Sequence, residues 1–123
     1  MRKRVFKKEA DVKAAVKEIF SGAPNLWYFM PVPCGYGKAG VPDFIACCNG
    51  VFLAVETKYA GGRLSAHQKI EIKNILDKGG IALVIDESNL DSLHDAVQEI
   101  VGGNVDAAKK IALLTIGNRN MEV

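Results

Sequence analysis

The sequence predicts an α/β fold, in which helices flank a mixed central β-sheet and the elements run α-β-β-β-α-β before a further helix. Three observations carry this prediction: a helical period near the start of the chain, a hairpin with an Asn-Gly turn, and an amphipathic helix leading to a short apolar strand. The hairpin is antiparallel, whereas a strand-helix-strand crossover joins parallel strands and is right-handed. The sheet should therefore be mixed.

Size and composition describe an ordinary globular protein. With 123 residues, 49% hydrophobic and 24% charged, the chain makes one domain with room for a proper core. No apolar run approaches the ~18 residues that cross a membrane, and no secretion signal follows the basic start of the chain. We expect no membrane partner. Three cysteines without a disulfide or zinc spacing indicate a reduced, cytoplasmic protein.

Charge alone does not point to nucleic acid, because the formal net charge is only +2. The basic residues are nevertheless concentrated at the start of the chain: Arg2, Lys3, Arg4, Lys7, Lys8, Lys13 and Lys17. Such a cluster can contact phosphates or be a solvated tail.

The first periodic segment predicts a helix from about Lys7 to Phe20. Helical phase places Glu9 in line with Val12 and Val16, on the apolar side, and Glu18 on the opposite side. An acid aimed at the core needs a partner. A fraying first turn, where glutamate suits the helix dipole, explains Glu9 equally well.

A strand is predicted over Leu26–Val32, and Pro31 and Pro33 indicate that it lies at an edge or an end of the sheet. The loop of residues 34–40 then matches the dinucleotide pattern G-x-G-x-x-G, but Gly40 leads into a strand rather than a helix. We therefore reject nucleotide binding. A glycine loop carrying Tyr36 and Lys38 suits contact with a polyanion, and it can also be a plain connection.

The next segment predicts a β-hairpin with Asn49-Gly50 as a two-residue turn, because a type I′ turn requires positive φ at both positions. Cys48 then pairs with Val51, and counting outward places Asp43 directly opposite Glu56. Side chains alternate along a strand, so Lys58 points the same way as Glu56.

Two facing carboxylates destabilise a sheet unless a cation or a shared proton relieves them. The apolar residues on both sides of the strand 51–57 are typical of a covered central strand. Charged residues at the end of a buried strand are more often part of a functional site than of a solvated surface. The pair of acids, Asp43 and Glu56, therefore indicates a metal site with Lys58 beside it.

Ser65 and Gln68 form a capping box that opens a second helix, which ends near Lys78 before two glycines. Gln68 can serve only as that cap. It also lies on the same side as Ile72, which points it inward near the end of the Lys58 strand. His67 points away and is expected at the surface.

The rest of the chain continues with a buried strand, Ile81–Asp86, and a helix capped by Asn89 or Ser88. The segment Val105–Ile116 is apolar and compatible with a helix or a strand. It can complete the core or form a subunit interface.

Pro42-Asp43 followed by Glu56-Thr57-Lys58 resembles the P-D…E-x-K signature of the PD-(D/E)XK nuclease superfamily. The wider chain resembles its VRR-NUC branch, the virus-type replication-repair nucleases. The matching parts, over about residues 7–86, are Glu9, G-V-P-D at 40–43, V-E-T-K at 55–58, G-R-L-S-x-x-Q at 62–68, and Gly79-Gly80.

This resemblance implies a restriction-endonuclease-like core, with residues 87–123 as a C-terminal helix and apolar tail. It implies Mg²⁺- or Mn²⁺-dependent endonuclease cleavage of DNA, structure-selective in the manner of Holliday-junction resolvases, by a homodimer. Branched or duplex DNA is the expected partner. The resemblance is also compatible with a phage-encoded protein that acts in the host cytoplasm.

The resemblance also assigns roles to individual residues. The expected metal ligands are Asp43, Glu56, the backbone carbonyl of Thr57 and, directly or through water, Glu9. Lys58 and Gln68 would act on the attacking water and the phosphoryl oxygens. The expected nucleic-acid contacts are Lys38, Arg63 and Tyr36.

Two other hypotheses remain open. The same fold can be a catalytically silent DNA-binding module, although the intact acids and Lys58 favour the enzyme. An unrelated α/β domain with a surface charge cluster would require a different hairpin register. Few aromatic residues stand in the basic regions, so base stacking on single strands has little support.

Overall fold

The computed structural model describes residues 4–32, 37–117 and 119. Its elements are α1 (Glu9–Ser21), β1 (Leu26–Phe29), β2 (Phe44–Cys48), β3 (Val51–Thr57), α2 (Ala66–Asp77), β4 (Ile81–Ile85), α3 (Leu90–Val101) and α4 (Val105–Ile116). The predicted α/β class and the order of elements are confirmed.

The hairpin has the register counted from its turn. Asn49 and Gly50 have φ values of 51° and 82°, the positive pair that a type I′ turn needs. Cys48 pairs with Val51, and the ladder continues to its last recorded pair, Phe44 with Val55. Asp43 precedes this last pair and Glu56 follows it, so the same register extended by one residue would place the two opposite each other.

The four strands form one mixed sheet in the order β1-β2-β3-β4. β1 and β2 are antiparallel, as are β2 and β3, whereas β3 and β4 run parallel across the α2 crossover. β1 is an edge strand as predicted, but it ends at Phe29 rather than Val32. Pro31 has no amide hydrogen for a longer ladder.

The two faces of the sheet are covered unequally. One face packs against α1 and α3 in the main core, with residues such as Val16, Phe44 and Leu53 fully buried. On the other face α2 covers the β4 side, where Ile72 packs with Ala82. Phe52 of β3 remains 43% exposed. The expectation that both faces of β3 are covered is therefore wrong at the start of the strand.

The C-terminal segment that was compatible with helix or strand is the helix α4. Its buried residues include Ala108 and Ala112. The Thr115 hydroxyl accepts a 3.0 Å hydrogen bond from the Val84 amide, so α4 satisfies a donor on β4, which ends the sheet. α4 thus completes the core, while its role as a subunit interface stays a prediction.

No helix among the described residues has both the length and the apolar character needed to cross a membrane.

Asn89, one of the two predicted cap residues, directly precedes α3, but its side chain makes no capping hydrogen bond to the helix. Its Oδ1 accepts from the Asp86 amide at 2.8 Å, and its Nδ2 donates to the Val84 carbonyl at 3.0 Å.

Candidate active site

Asp43 is fixed at the open end of the hairpin by Thr57. Its Oδ2 accepts a 2.9 Å hydrogen bond from the Thr57 amide and a 2.6 Å bond from the Thr57 hydroxyl. Thr57 itself is fully buried. One carboxylate oxygen of Asp43 is thereby committed to the neighbouring strand, which holds the side chain beside Glu56.

Glu56 is a buried acid with only one oxygen satisfied. The residue is 3% exposed, and its Oε2 accepts a 2.9 Å hydrogen bond from Gln68 Nε2. Its Oε1 is buried without a hydrogen-bond partner among the described residues. Burial raises the pKa of Glu56 to about 8, the negative charge of Asp43 adds to the rise, and Lys58 opposes it.

Lys58 lies beside this acid, directly after β3. Its Nζ is 3.7 Å from Glu56 Oε2 and donates to Gln68 Oε1 at 2.9 Å. Its side chain is only 13% exposed. The Lys58 amide donates to the Ile85 carbonyl at 2.9 Å, so the pairing of β3 with β4 positions the backbone that carries this ammonium.

Gln68 serves both as a helix cap and as a site residue. Its Oε1 accepts from the Ser65 amide at 2.9 Å, and its own amide donates to Ser65 Oγ at 3.1 Å, which completes the predicted capping box. The same side-chain amide contacts Glu56 and Lys58. The inward direction inferred from helical phase is confirmed, and so is the exposed position of His67.

Glu9 reaches the site through a lysine. It is the first residue of α1, and its side chain is 44% exposed rather than buried in the apolar stripe. Lys13 Nζ lies 3.6 Å from Glu9 Oε2 and 3.8 Å from Asp43 Oδ1. The negative charge of Glu9 still adds to the raised pKa of Glu56. Direct ligation of a metal by Glu9 stays a prediction.

The residues that are present fit a divalent cation as a two-carboxylate site. Among the described residues, no group of three or more His, Cys, Asp or Glu side chains is arranged to hold a metal ion. Asp43 and Glu56 nevertheless supply the hard oxygen donors that Mg²⁺ prefers. The buried Oε1 of Glu56 has no hydrogen-bond partner among the described residues, so a proton or a bound cation could satisfy it.

The loop before Asp43 is seated against the start of α2 through a glycine. Gly40 has φ +80°, and a Cβ there would lie 2.4 Å from the carbonyl carbon and oxygen of His67 and 2.8 Å from the Gln68 amide nitrogen. Only glycine allows this approach. The contact places the chain leading to Asp43 beside the turn of helix that carries Gln68.

Not every predicted nucleic-acid contact can be located. Lys38 and Arg63 are exposed, which suits contact with a polyanion. Lys38 forms a 3.1 Å ion pair with Glu71, a residue only 7% exposed on α2. Tyr36 lies outside the described residues.

Comparison with known proteins gives no independent indication of what the candidate site does. No protein-family model and no curated protein matches this chain. The resemblance to VRR-NUC nucleases therefore stays a prediction from the motif residues. Those residues, Asp43, Glu56, Lys58 and Gln68, lie together.

Sequence reasoning missed two charged residues near the site. Lys13 belongs to the basic cluster at the start of the chain, and it stands one helical turn after Glu9. Glu71 follows Gln68 by three residues, so helical phase alone places it on the inward side of α2. A cavity of about 620 Å³ lies between α1 and α3, and neither Lys13 nor Glu71 lines it.

Proposed function

We propose that this protein is a metal-dependent DNA endonuclease that hydrolyses phosphodiester bonds, built on a restriction-endonuclease-like core of the VRR-NUC type. One observation carries the proposal. At the end of the hairpin the negative charge of Asp43 acts on Glu56, one buried Glu56 oxygen has no hydrogen-bond partner among the described residues, and Lys58 lies beside Glu56. Buried acids with a perturbed pKa beside a lysine are typical of functional sites.

Asp43 and Glu56 would hold Mg²⁺ or Mn²⁺, with the Thr57 backbone carbonyl as a further oxygen donor and Glu9 as an outer one. The bound ion would stabilise negative charge on the phosphoryl oxygens and lower the pKa of a bound water. Asp43 is held in place for this role by both donors of Thr57.

Lys58 and Gln68 have positions that suit the reacting groups. The Lys58 ammonium is largely shielded from solvent, where its charge acts more strongly on a developing oxyanion than it would in water. The Gln68 amide holds both Lys58 and Glu56, so it orients the ammonium relative to the acid. Lys58 would orient the attacking water and offset the growing negative charge.

The DNA itself would be held through its phosphates. Lys38 and Arg63 are exposed on the loops before and after the hairpin and provide cations for this purpose. We propose a branched DNA, such as a four-way junction, as the preferred substrate and a homodimer as the active form. These two details rest on the family resemblance.

The test is a panel of four-way junction, flap, duplex and single-stranded DNA incubated with the protein in Mn²⁺ and in Mg²⁺. We expect cleavage of at least one substrate, and its loss in Asp43→Ala and Lys58→Ala. Asp77→Ala, which removes an exposed acid at the end of α2, is the matched control and should cut normally. Cleavage by Asp43→Ala at the wild-type rate would refute the site. DNA binding without cleavage in any divalent ion would instead support the silent module.

A further inference from the structure

A second cavity, of about 380 Å³, opens directly beside the candidate site. We call it the α2 groove, because it lies between the exposed part of the sheet and α2. Ile45 and Phe52 line it from the sheet, Ile75 from α2, and Pro42 from the loop that leads to Asp43. Its volume falls within the range of roughly 300–1,000 Å³ that is usual for small-ligand sites.

The groove shares a sheet face with the acids. Side chains alternate along β3, so Phe52 points to the same side as Glu56, four residues further on. At ~3.3 Å per residue the two lie about 13 Å apart along the strand. That distance spans about four stacked nucleotides of one DNA strand, and fewer when the strand is extended.

The floor of the groove presents an aromatic ring to solvent. Phe52 is 43% exposed, because α2 does not cover it. The chain passes close to the ring at Gly80, where a Cβ would lie 3.1 Å from Phe52 Cδ1 and 2.8 Å from Ile75 Cγ2. A side chain at this position would therefore fill the space beside the ring.

The rim is polar and carries a net positive charge. Lys38, Lys78 and Asn74 line it together with one acid, Glu71. Glu71 is already compensated, because its Oε2 pairs with Lys38 at 3.1 Å and its Oε1 accepts from Asn74 Nδ2 at 3.1 Å. Lys78 is thus an additional cation beside an apolar, aromatic floor, which complements a flat ring attached to a phosphate.

We propose that the α2 groove binds an unpaired nucleobase of the DNA that the protein cleaves, with the base stacked on Phe52 and an adjacent phosphate near Lys78. The inference rests on the proposed function and sharpens it: the substrate would carry an extruded or unpaired nucleotide within a few positions of the cut. The site combines residues from distant parts of the sequence, namely Lys38, Phe52 and Lys78. The composition of the basic stretches of the chain could therefore not predict it.

The test uses a short DNA duplex with one unpaired 2-aminopurine, and the same duplex fully paired, both titrated with protein in EDTA. We expect the 2-aminopurine fluorescence to change on binding and the unpaired duplex to bind more tightly. Phe52→Ala should weaken that binding roughly 5- to 150-fold, the usual effect of losing one stacking ring. Phe29→Ala is the matched control, because Phe29 is exposed on the same sheet face but does not line the groove.

Asn74→Trp is a second variant, which fills the groove from an exposed helical position. Asn74→Ala is its control, because both variants lose the hydrogen bond to Glu71. Asn74→Trp should weaken binding of the unpaired duplex as Phe52→Ala does. Equal affinity for both duplexes, or equal effects of Phe52→Ala and Phe29→Ala, would overturn the inference. So would a change in the sedimentation of DNA-free protein on Phe52→Ala, which would assign the groove to a second copy of the chain.

Failure of this inference is distinguishable from failure of the proposed function. Binding is measured without divalent ions, whereas cleavage is measured separately in Mn²⁺. Equal cleavage rates for DNA with and without an unpaired base would overturn the proposed role of the α2 groove and leave the proposed nuclease activity intact. Selective binding without cleavage would overturn the nuclease and keep the groove as the recognition site of a silent module.

Discussion

Gln68 donates a 2.9 Å hydrogen bond from Nε2 to Oε2 of Glu56, which ties the first turn of α2 to the end of β3. The other atom of the same amide accepts from Lys58. Gln68 thereby bridges an acid and a base that lie 3.7 Å apart. Because Gln68 also caps α2 with Ser65, the start of the helix and the geometry of the site depend on each other.

A comparison of Ser65→Ala with Gln68→Ala separates these two roles. Ser65→Ala removes the helix cap and should lower the free energy of unfolding by about 1 kcal/mol, with little loss of cleavage. Gln68→Ala removes the same capping box and also the contacts to Glu56 and Lys58. We expect its cleavage rate to fall at least tenfold below that of Ser65→Ala. Equal rates in the two variants would show that Gln68 is only a cap.

The raised pKa of Glu56 predicts an unusual pH dependence of stability in EDTA. Burial raises this pKa from 4.5 to about 8, so the folded state holds a proton that the unfolded state has released. The free energy of unfolding should therefore decrease as the pH rises from about 4.5 to about 8. The decrease attributable to Glu56 is on the order of 5 kcal/mol.

Glu56→Gln removes this titration, since the amide carries no charge at any of these pH values. We expect chemical denaturation of Glu56→Gln to show a flatter pH profile than that of the wild type, and higher stability at pH 8. Parallel profiles of the two proteins would contradict the assignment of a neutral, buried Glu56.

Lys13 should compete with a metal ion for the acids. Its ammonium lies between Glu9 and Asp43, so Lys13→Gln removes a positive charge close to the proposed ion. We expect Mn²⁺ affinity, measured by calorimetry, to rise about 5- to 10-fold. Lys17→Gln, one turn further along α1 and exposed, should leave the affinity unchanged. A weaker affinity in Lys13→Gln would mean that Lys13 supports the site.

Gly40 should be far less tolerant of substitution than Gly61. Both have positive φ, at +80° and +77°, but a Cβ at Gly61 meets nothing within 4 Å. Gly61→Ala should cost about 1 kcal/mol of stability from backbone strain alone. Gly40→Ala must also push the loop away from His67 and Gln68, so we expect a larger loss of stability together with a loss of cleavage. Similar melting temperatures in the two variants would refute this packing.

Local sequence patterns were sufficient to predict the hairpin, its turn and its strand register. A two-residue Asn-Gly turn fixes the register from Cys48–Val51 to Phe44–Val55. That register, extended by one residue, predicts Asp43 opposite Glu56. The position of Gln68 followed from helical phase and from its capping motif. These features depend on residues close together in the sequence, where few alternative geometries exist.

Contacts between distant elements could not be predicted in this way. Lys13 forms an ordinary i,i+4 pair with Glu9, and its contact with Asp43 depends on how α1 packs against the sheet. The exposure of Phe52 depends on how much of the sheet α2 covers. The helical state of residues 105–116 depends on packing against α3 and β4, including the bond of Thr115 to Val84.

We expect Asp43 and Glu56 to form a binding site for a divalent cation. Titration of the protein with Mn²⁺ in a calorimeter, in parallel with Asp43→Asn, tests it most directly, because it requires neither DNA nor cleavage. We expect saturable Mn²⁺ binding by the wild type and a loss of at least tenfold in affinity in Asp43→Asn. No binding by the wild type, or equal affinity in both proteins, would contradict the claim.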